Sequence, residues 1–501
     1  MTAETASDLL GQAVRLHQQG RLDQAQALYR RVLEASPRQF DALHLLGVIE
    51  RQRGAPRRAV ELIQEALRVD PRQARAHCNL GAALQDLGRA DDALASYEAA
   101  LRLDPAYALA WDNRGNTLRR LGRLPEALDS HERALGLNPA MAEAWCHRAI
   151  ALHDLGRHAD AAASAEQALA ARPAYAAALV ALGHALQAMD HHTASVDAYD
   201  RALALAPQAE TWCARGAALK KAGDLAAALH SYERALALRP DYALAEHYRA
   251  NALRALGQRA AAVAAYRRAL TLGADAGEIR FALAALGEAD QPDAAPADYV
   301  KHLFDQYAGR FDRHLVDVLG YRTPALLDAL LRPHLASAPV DAALDLGCGT
   351  GLCATFLRPL ARHLTGVDLS QRMLDKAADL GLYDELACAD IVAWLAERPD
   401  RSCGLAVATD VLVYLGDLAP LFARVRHALR ADGLFAFSCE ALARDDAGRG
   451  YAMLPSNRFA HALDYVTGTA RAAGFSVLAT ERAVLRRDHG HDVEGYLIVL
   501  T

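Results

Sequence analysis

Small and apolar residues recur at helical spacing through roughly the first 276 residues, in paired stretches closed by a proline. Pro37, Pro71, Pro105, Pro139, Pro173 and Pro207 stand 34 residues apart, and Pro240 follows. Within each period one small residue returns at Gly47, Gly81, Gly115, Ala149, Gly183, Gly216 and Ala250. A second returns at Ala59, Ala93, Ala127, Ala161, Ser195, Ala228 and Ala262, and a third at Ala66, Ala100, Ala134, Ala168, Ala202, Ala235 and Ala269. An aromatic recurs at Tyr29, Tyr97, Tyr199, Tyr232 and Tyr266. Small residues let two helices approach closely, and the proline stops the second helix of each pair. The first half is therefore predicted to be a stack of helix pairs.

Past residue 340 the period changes. Apolar runs at Ala342–Leu346, Leu364–Asp368, Leu386–Ala389, Gly404–Ala408 and Leu434–Ser438 alternate with amphipathic stretches. Such alternation predicts a parallel sheet with helices on both faces. The last two runs, Phe475–Leu485 and Val493–Leu500, are separated only by the polar Arg-Arg-Asp-His-Gly-His-Asp segment. Two strands joined without a helix must be antiparallel neighbours. The polar, proline-containing stretch 287–298 reads as a linker between residues 1–286 and 299–501.

The first run of the second half ends in Ala-Leu-Asp-Leu-Gly-Cys-Gly-Thr-Gly, placing Asp345 before Gly347, Gly349 and Gly351. Three glycines let the backbone approach a ligand without Cβ atoms in the way. The next run ends on Asp368, where a carboxylate can accept hydrogen bonds from both ribose hydroxyls of an adenosine. The dinucleotide fingerprint G-x-G-x-x-G does not fit, because the third glycine comes one residue early and Leu352 follows it. No phosphate-cradling G-x-x-x-x-G-K-[ST] loop occurs either.

The pattern D-x-G-x-G-x-G followed by an acid ending the next strand resembles class I S-adenosylmethionine-dependent methyltransferases, from Tyr299 to Thr501. The 34-residue pattern resembles the tetratricopeptide repeat, about eight copies from Ala6 to Ala276. Together they resemble bacterial tetratricopeptide-repeat methyltransferases. The implied fold is an α-solenoid followed by an α/β Rossmann-like class I domain. Its seven-stranded mixed sheet would end in an antiparallel hairpin. The resemblance implies S-adenosyl-L-methionine as cofactor. Gly347, Gly349 and Gly351 would line its methionine end and Asp345 would orient the loop. Asp368 would hold the ribose, with Leu369 and Met373 beside the adenine, Asp390 near the adenine amino group and Ile391 on the ring. An acid after a strand also serves as a helix N-cap, so Asp390 has two readings. The lead-in Phe304-Asp305-Gln306-Tyr307-Ala308, Phe311-Asp312 resembles a segment that covers the cofactor, making Tyr307 a candidate lid residue.

Methyl transfer needs a general base only when the acceptor arrives protonated. Candidates are Asp410, His461 and the pair His489 and His491. The segment Thr409-Asp410-Val411-Leu412-Val413-Tyr414-Leu415 is neither the Asn/Asp-Pro-Pro-Tyr/Phe motif of amino-nitrogen methylation nor the Pro-Cys pair of cytosine methylation. Asp488, His489, His491 and Asp492 lack a recognised ligand spacing, and no metal site is expected. In the repeats, the family pattern turns Arg51, Asp86, Asn116, Arg119, Arg120, Lys220, Lys221 and Arg254 toward a concave groove that takes a protein or peptide, an acidic one if the basic excess governs.

A net charge of −6 and a pI near 6.4 argue against a dedicated nucleic-acid binder. No apolar run is long enough to span a membrane, no signal peptide is evident, and eight scattered cysteines suit a reducing, cytoplasmic setting. Two other architectures remain. An O-linked N-acetylglucosamine transferase needs more chain after the repeats than is present. A scaffold with a degenerate, cofactor-binding-only domain keeps the motifs and differs in turnover alone.

Overall fold

The structure is a computed structural model that describes residues 5–308, 320–335, 338–444, 448–488 and 491–501. Phe311, Asp312 and His489 lie outside the described residues. The chain divides into two compact units, Met1–Leu256 and Gly257–Thr501.

The first unit is built of helix pairs, from Ala6–Gln18 with Leu22–Ala35 to Ala209–Ala222 with Leu225–Leu238, followed by Ala243–Ala255. The periodic prolines stand just after the second helix of each pair, where a missing N–H costs nothing. The recurrent small residue faces the residue sixteen positions later. A Cβ at Gly81 would stand 2.7 Å from the Tyr97 ring, one at Gly183 2.5 Å from Tyr199, and one at Gly216 2.5 Å from Tyr232. Where the later residue is Ala165, the earlier one is Ala149, and both lie in one buried cluster. At these three pairs the ring fills the space that a Cβ would need, whereas Tyr29 is buried in one cluster with Ala13, sixteen residues before it. Each first helix ends at a residue in left-handed backbone, glycine at Gly54, Gly88, Gly122 and Gly156 with φ of 75–76°, but Asp190 with φ 60°.

The second unit begins with the helices Arg259–Thr271 and Ala276–Ala285, which the sequence reading assigns to the repeats. The difference has a packing cause. Phe281 sits 5.0 Å from Tyr299 and 6.5 Å from Phe459 in a cluster with Tyr451 and Met453. The stretch expected to be a linker is also pinned down. The Ala295 N–H donates to the Tyr414 carbonyl at 2.8 Å, and the Gly416 and Asp417 N–H groups donate to the Asp293 carbonyl at 2.8 and 2.9 Å. The Asp293 carboxylate accepts from Tyr451 Oη at 2.8 Å and from Arg449 at 3.1 Å.

The helices Ala297–Tyr307 and Thr323–Leu331 precede a nine-stranded sheet made of β1 (Val340–Leu346), β2 (Ala361–Asp368), β3 (Glu385–Cys388), β4 (Cys403–Ala408), β5 (Leu429–Ala441), β6 (Tyr451–Met453), β7 (Phe459–His461), β8 (Val477–Asp488) and β9 (His491–Leu500). Strands β3, β2, β1, β4 and β5 are parallel neighbours in that order. Antiparallel β9 follows on β5, and β8 pairs with β9. These seven form the expected sheet with its terminal hairpin. Two short strands extend it: β7 lies parallel to the end of β5, and β6 antiparallel to β7. At three residues each they are too short to show the alternation that marks a strand in sequence. The hairpin also runs further than expected, because the polar residues Arg486 and Arg487 are within β8 and pair with Val493 and Asp492.

Side-chain alternation gives the sheet a core on each face. Phe435 and Phe437 of β5 pack with Trp394, Phe422 and Phe475, whereas Leu434 and Ala436 pack with Leu327, Leu357, Leu485 and Leu497. Among the described residues no helix is long and apolar enough to cross a membrane.

Candidate active site

The strand order reverses between β1 and β4, and such a reversal opens a crevice at the carboxyl ends of the strands. A pocket of about 790 Å³ lies there, within the range of ligand sites. Gly347, Cys348 and Gly349 after β1, Asp368 and Leu369 after β2, Asp390 and Ile391 after β3, and Thr409, Asp410 and Val411 after β4 all line it. Tyr307 lines it as well, with Val300 and Phe304 from the same helix.

The glycine loop holds its shape through backbone bonds and close packing. The Gly347 N–H donates to the Val367 carbonyl at 2.7 Å. With φ of 72°, and with Val411 Cγ2 only 2.2 Å from where its Cβ would lie, Gly347 accepts no side chain. One Asp368 oxygen accepts the Gly349 N–H at 2.9 Å and the other accepts the Ser370 N–H at 2.9 Å. Burial raises the Asp368 pKa, while backbone N–H donors from Ser370, Gly349 and Leu369 oppose the rise. Its carboxylate keeps further lone pairs for a ligand.

Three of the sequence-predicted residues stand outside the lining. Asp345 is buried behind the loop, where Tyr383 Oη donates to it at 2.6 Å. Burial pushes its carboxyl up to about 7, with a further rise from the Asp368 charge. Met373 is fully buried in the helix Gln371–Asp379, and Gly351 faces Leu380 and Tyr383. Asp390 does both things expected of it. It caps the helix Ile391–Ala396 by accepting from Val392 and Ala393 N–H groups at 3.0 and 2.9 Å, and it lines the pocket.

The candidate bases separate. Asp410, in left-handed backbone with φ 56°, lines the pocket and is 3.4 Å from Arg486 Nη1. His461 does not line it. Its Nε2 faces the carbonyl oxygens of Leu415 and Gly416 at 2.9 and 3.2 Å, and burial lowers its pKa to about 4. His491 is exposed on the hairpin. Cys353 also lines the pocket, yet burial raises its thiol well above the ordinary value, which removes thiolate character.

Sequence reasoning missed three arginines of the lining, Arg458, Arg486 and the exposed Arg487. Arg486, 2 % exposed, donates to Glu440 and Asp410 and lines the pocket; Arg458 donates to Glu440 at 3.4 Å beside it. In sequence, Arg486 opens a polar run between strands, and only the outlying β7 gives Arg458 its place. In the repeats, four of the residues expected in the groove, Arg51, Asp86, Asn116 and Arg119, pair across neighbouring repeats. Arg51 meets Asp86 at 2.6 Å, Arg119 meets Asp154 at 3.0 Å, and Asn116 meets His147 at 3.0 Å.

The profile described as "Methyltransferase domain" matches residues 344–437, which hold the glycine loop, Asp368 and Asp410. "Tetratricopeptide repeat" profiles match residues 16–84, 72–140, 113–176, 146–210 and 209–242. The chain joins tetratricopeptide repeats to a methyltransferase domain. Among curated proteins it is similar to methyltransferase-like protein 27 of Homo sapiens, 41% identical over 88 residues, covering 17% of this chain and 36% of that one. It is also similar to trans-aconitate 2-methyltransferases. The Pseudomonas aeruginosa protein is 37% identical over 109 residues, covering 21% and 38%. The Klebsiella pneumoniae protein is 36% identical over 118, covering 23% and 44%. The chain thus spans about two-fifths of the length of these relatives. Among solved structures, the Cut9–Hcn1 assembly of the APC/C is similar at TM-score 0.43 and 18% identity, covering 54% of each chain. The pilus biogenesis factor PilW is similar at TM-score 0.39 and 21% identity, covering 42% and 97%.

Proposed function

We propose that the methyltransferase domain uses S-adenosylmethionine to methylate a carboxylate oxygen of an acceptor, while the repeat array holds a protein or peptide partner in its groove. The lining carries the proposal. It offers Asp368, placed to meet a ribose, and three arginines, Arg458, Arg486 and Arg487, yet its described residues include no histidine or lysine.

The residues fit the cofactor. Asp368 can accept from ribose hydroxyls, Leu369 and Ile391 supply apolar walls for a base, and the loop at Gly347 and Gly349 lines the same pocket. When bound, the cofactor supplies a methyl group on a sulfonium, which an in-line nucleophile accepts. Asp410 is engaged by Arg486 and His461 is turned to carbonyls, so an acceptor that arrives already ionised suits the site. A guanidinium fork recognises carboxylate geometry, and Arg458, with one bond to Glu440, has donors left for it. Trans-aconitate, named in two of the relatives, is a carboxylate.

The test is calorimetric titration of S-adenosylmethionine, then transfer of labelled methyl to a panel of carboxylic acids. Asp368→Ala should weaken cofactor binding about tenfold or more. Arg458→Gln should raise the acceptor KM and leave cofactor affinity unchanged. Label released as methanol by alkali marks an ester; alkali-stable product would sink the carboxylate assignment. No binding to wild type would sink the cofactor assignment, and binding without transfer to any acceptor would favour the scaffold.

A further inference from the structure

The repeat array contains a cluster of ligating side chains that neither its packing nor the methyltransferase pocket requires. At the position held by Tyr29, Tyr97, Tyr199 and Tyr232, one repeat carries His131. At the position held by Cys78, Cys146 and Cys213 it carries Asp112, and the next repeat has His147 where Asn79 and Asn113 stand earlier. Three departures from the pattern, at three positions, converge on one spot. Asp112 Oδ1 lies 2.9 Å from His131 Nδ1, and Asp112 Oδ2 lies 3.0 Å from His147 Nδ1. One ligand atom from each residue lies within 4.8 Å of the other two. Asp112 is 2 % exposed and His131 fully buried, whereas His147 at 29 % opens the cluster to solvent.

With the Asn116 amide as placed, the hydrogen bonds conflict, and turning the amide over or binding a cation relieves the conflict. Asn116 Nδ2 is also 3.0 Å from His147 Nδ1. A ring nitrogen carries either a proton or a lone pair. With the proton it opposes the amide N–H; with the lone pair it opposes the carboxylate. A cation removes both repulsions, because each Nδ1 lone pair and the carboxylate then point at it. Turning the Asn116 amide over offers Oδ1 in place of its nitrogen.

We propose that Asp112, His131 and His147 form a site for one divalent transition-metal ion of the zinc type, with Asn116 Oδ1 or water as fourth ligand. Two imidazoles and one carboxylate suit zinc, cobalt or nickel better than calcium or magnesium. Tetrahedral ligation at about 2.1 Å sets donors about 3.4 Å apart, a few tenths of an ångström beyond the two separations between Asp112 and the imidazoles. The ion releases the Nδ1 proton of each imidazole that carries one to solvent. It ties the helices Ala108–Arg120 and Leu124–Leu137 to the next repeat's Ala142–Asp154.

The experiment titrates Zn²⁺ and Co²⁺ into the full chain after chelator treatment. One equivalent should bind with Kd of about 1 µM or tighter, with the visible absorption of tetrahedral Co²⁺ and a raised Tm. His131→Tyr restores the ring of four other repeats, so it should keep the wild-type circular dichroism and lose the binding. His147→Ala should lose it too. No saturation by about 100 µM Zn²⁺, or undiminished binding in either folded variant, would overturn the site.

Discussion

In the repeat array a tight contact is answered sixteen residues along the chain; in the C-terminal unit it is answered from tens of residues away. Gly81 exists for Tyr97 and Gly216 for Tyr232, on the two helices of one pair. Gly347 exists for Val411, Asp345 is held by Tyr383, and Arg486 reaches back to Glu440 and Asp410. Local contacts repeat with the period, so a change in one residue is legible in its partner. Contacts across a sheet depend on strand order, which no short window of sequence contains.

The largest expected effect tests where the second unit begins. A fragment of residues 257–501 should fold. One of residues 299–501 lacks Phe281 and the Asp293 and Ala295 contacts, and should lose about 3 kcal/mol or more. Equal melting temperatures for the two would place the boundary where the sequence reading does.

Asp345 gives a pH signature confined to the C-terminal unit. Its folded pKa of about 7 lies above the ordinary 3.8, so the neutral form is the one the fold favours. That contribution is complete below about pH 4 and is lost as pH rises toward 7, by a few kcal/mol at most. Asp345→Asn should flatten this slope in denaturant titrations, and an unchanged slope would assign the pH dependence elsewhere.

The tight contacts of Tyr97, Tyr199 and Tyr232 on their glycines predict a matched pair. Ala165→Tyr should cost about 1–3 kcal/mol by crowding Ala149, and adding Ala149→Gly should recover most of it. Additive losses in the double variant would break the match. The smallest effect is at Asp190, the non-glycine among the left-handed turn residues of the array. Asp190→Gly should stabilise by about 1 kcal/mol, read as a small rise in the denaturation midpoint.

The part of the pocket proposed to hold the cofactor was legible because it is assembled from strand ends in local runs. The loop 347–351 and Asp368 carry their geometry in their own neighbours, and Asp390 declares itself by position after a strand. The part proposed for the acceptor was not. Arg458 stands just before a short outlying strand, Arg486 in a hairpin and Tyr321 just before a helix, and nothing in their local sequence marks them for one pocket.

By itself the sequence determined the helix pairs, the order of the main strands and helices, and the glycine turn after β1, since periodicity, proline and glycine act on the backbone within a few residues. Tertiary structure alone decided which charges are buried together. The Arg486–Glu440–Asp410 network and the Asp112–His131–His147 cluster arise where separate elements meet, because the cost of burying a charge is set by whatever the fold brings beside it.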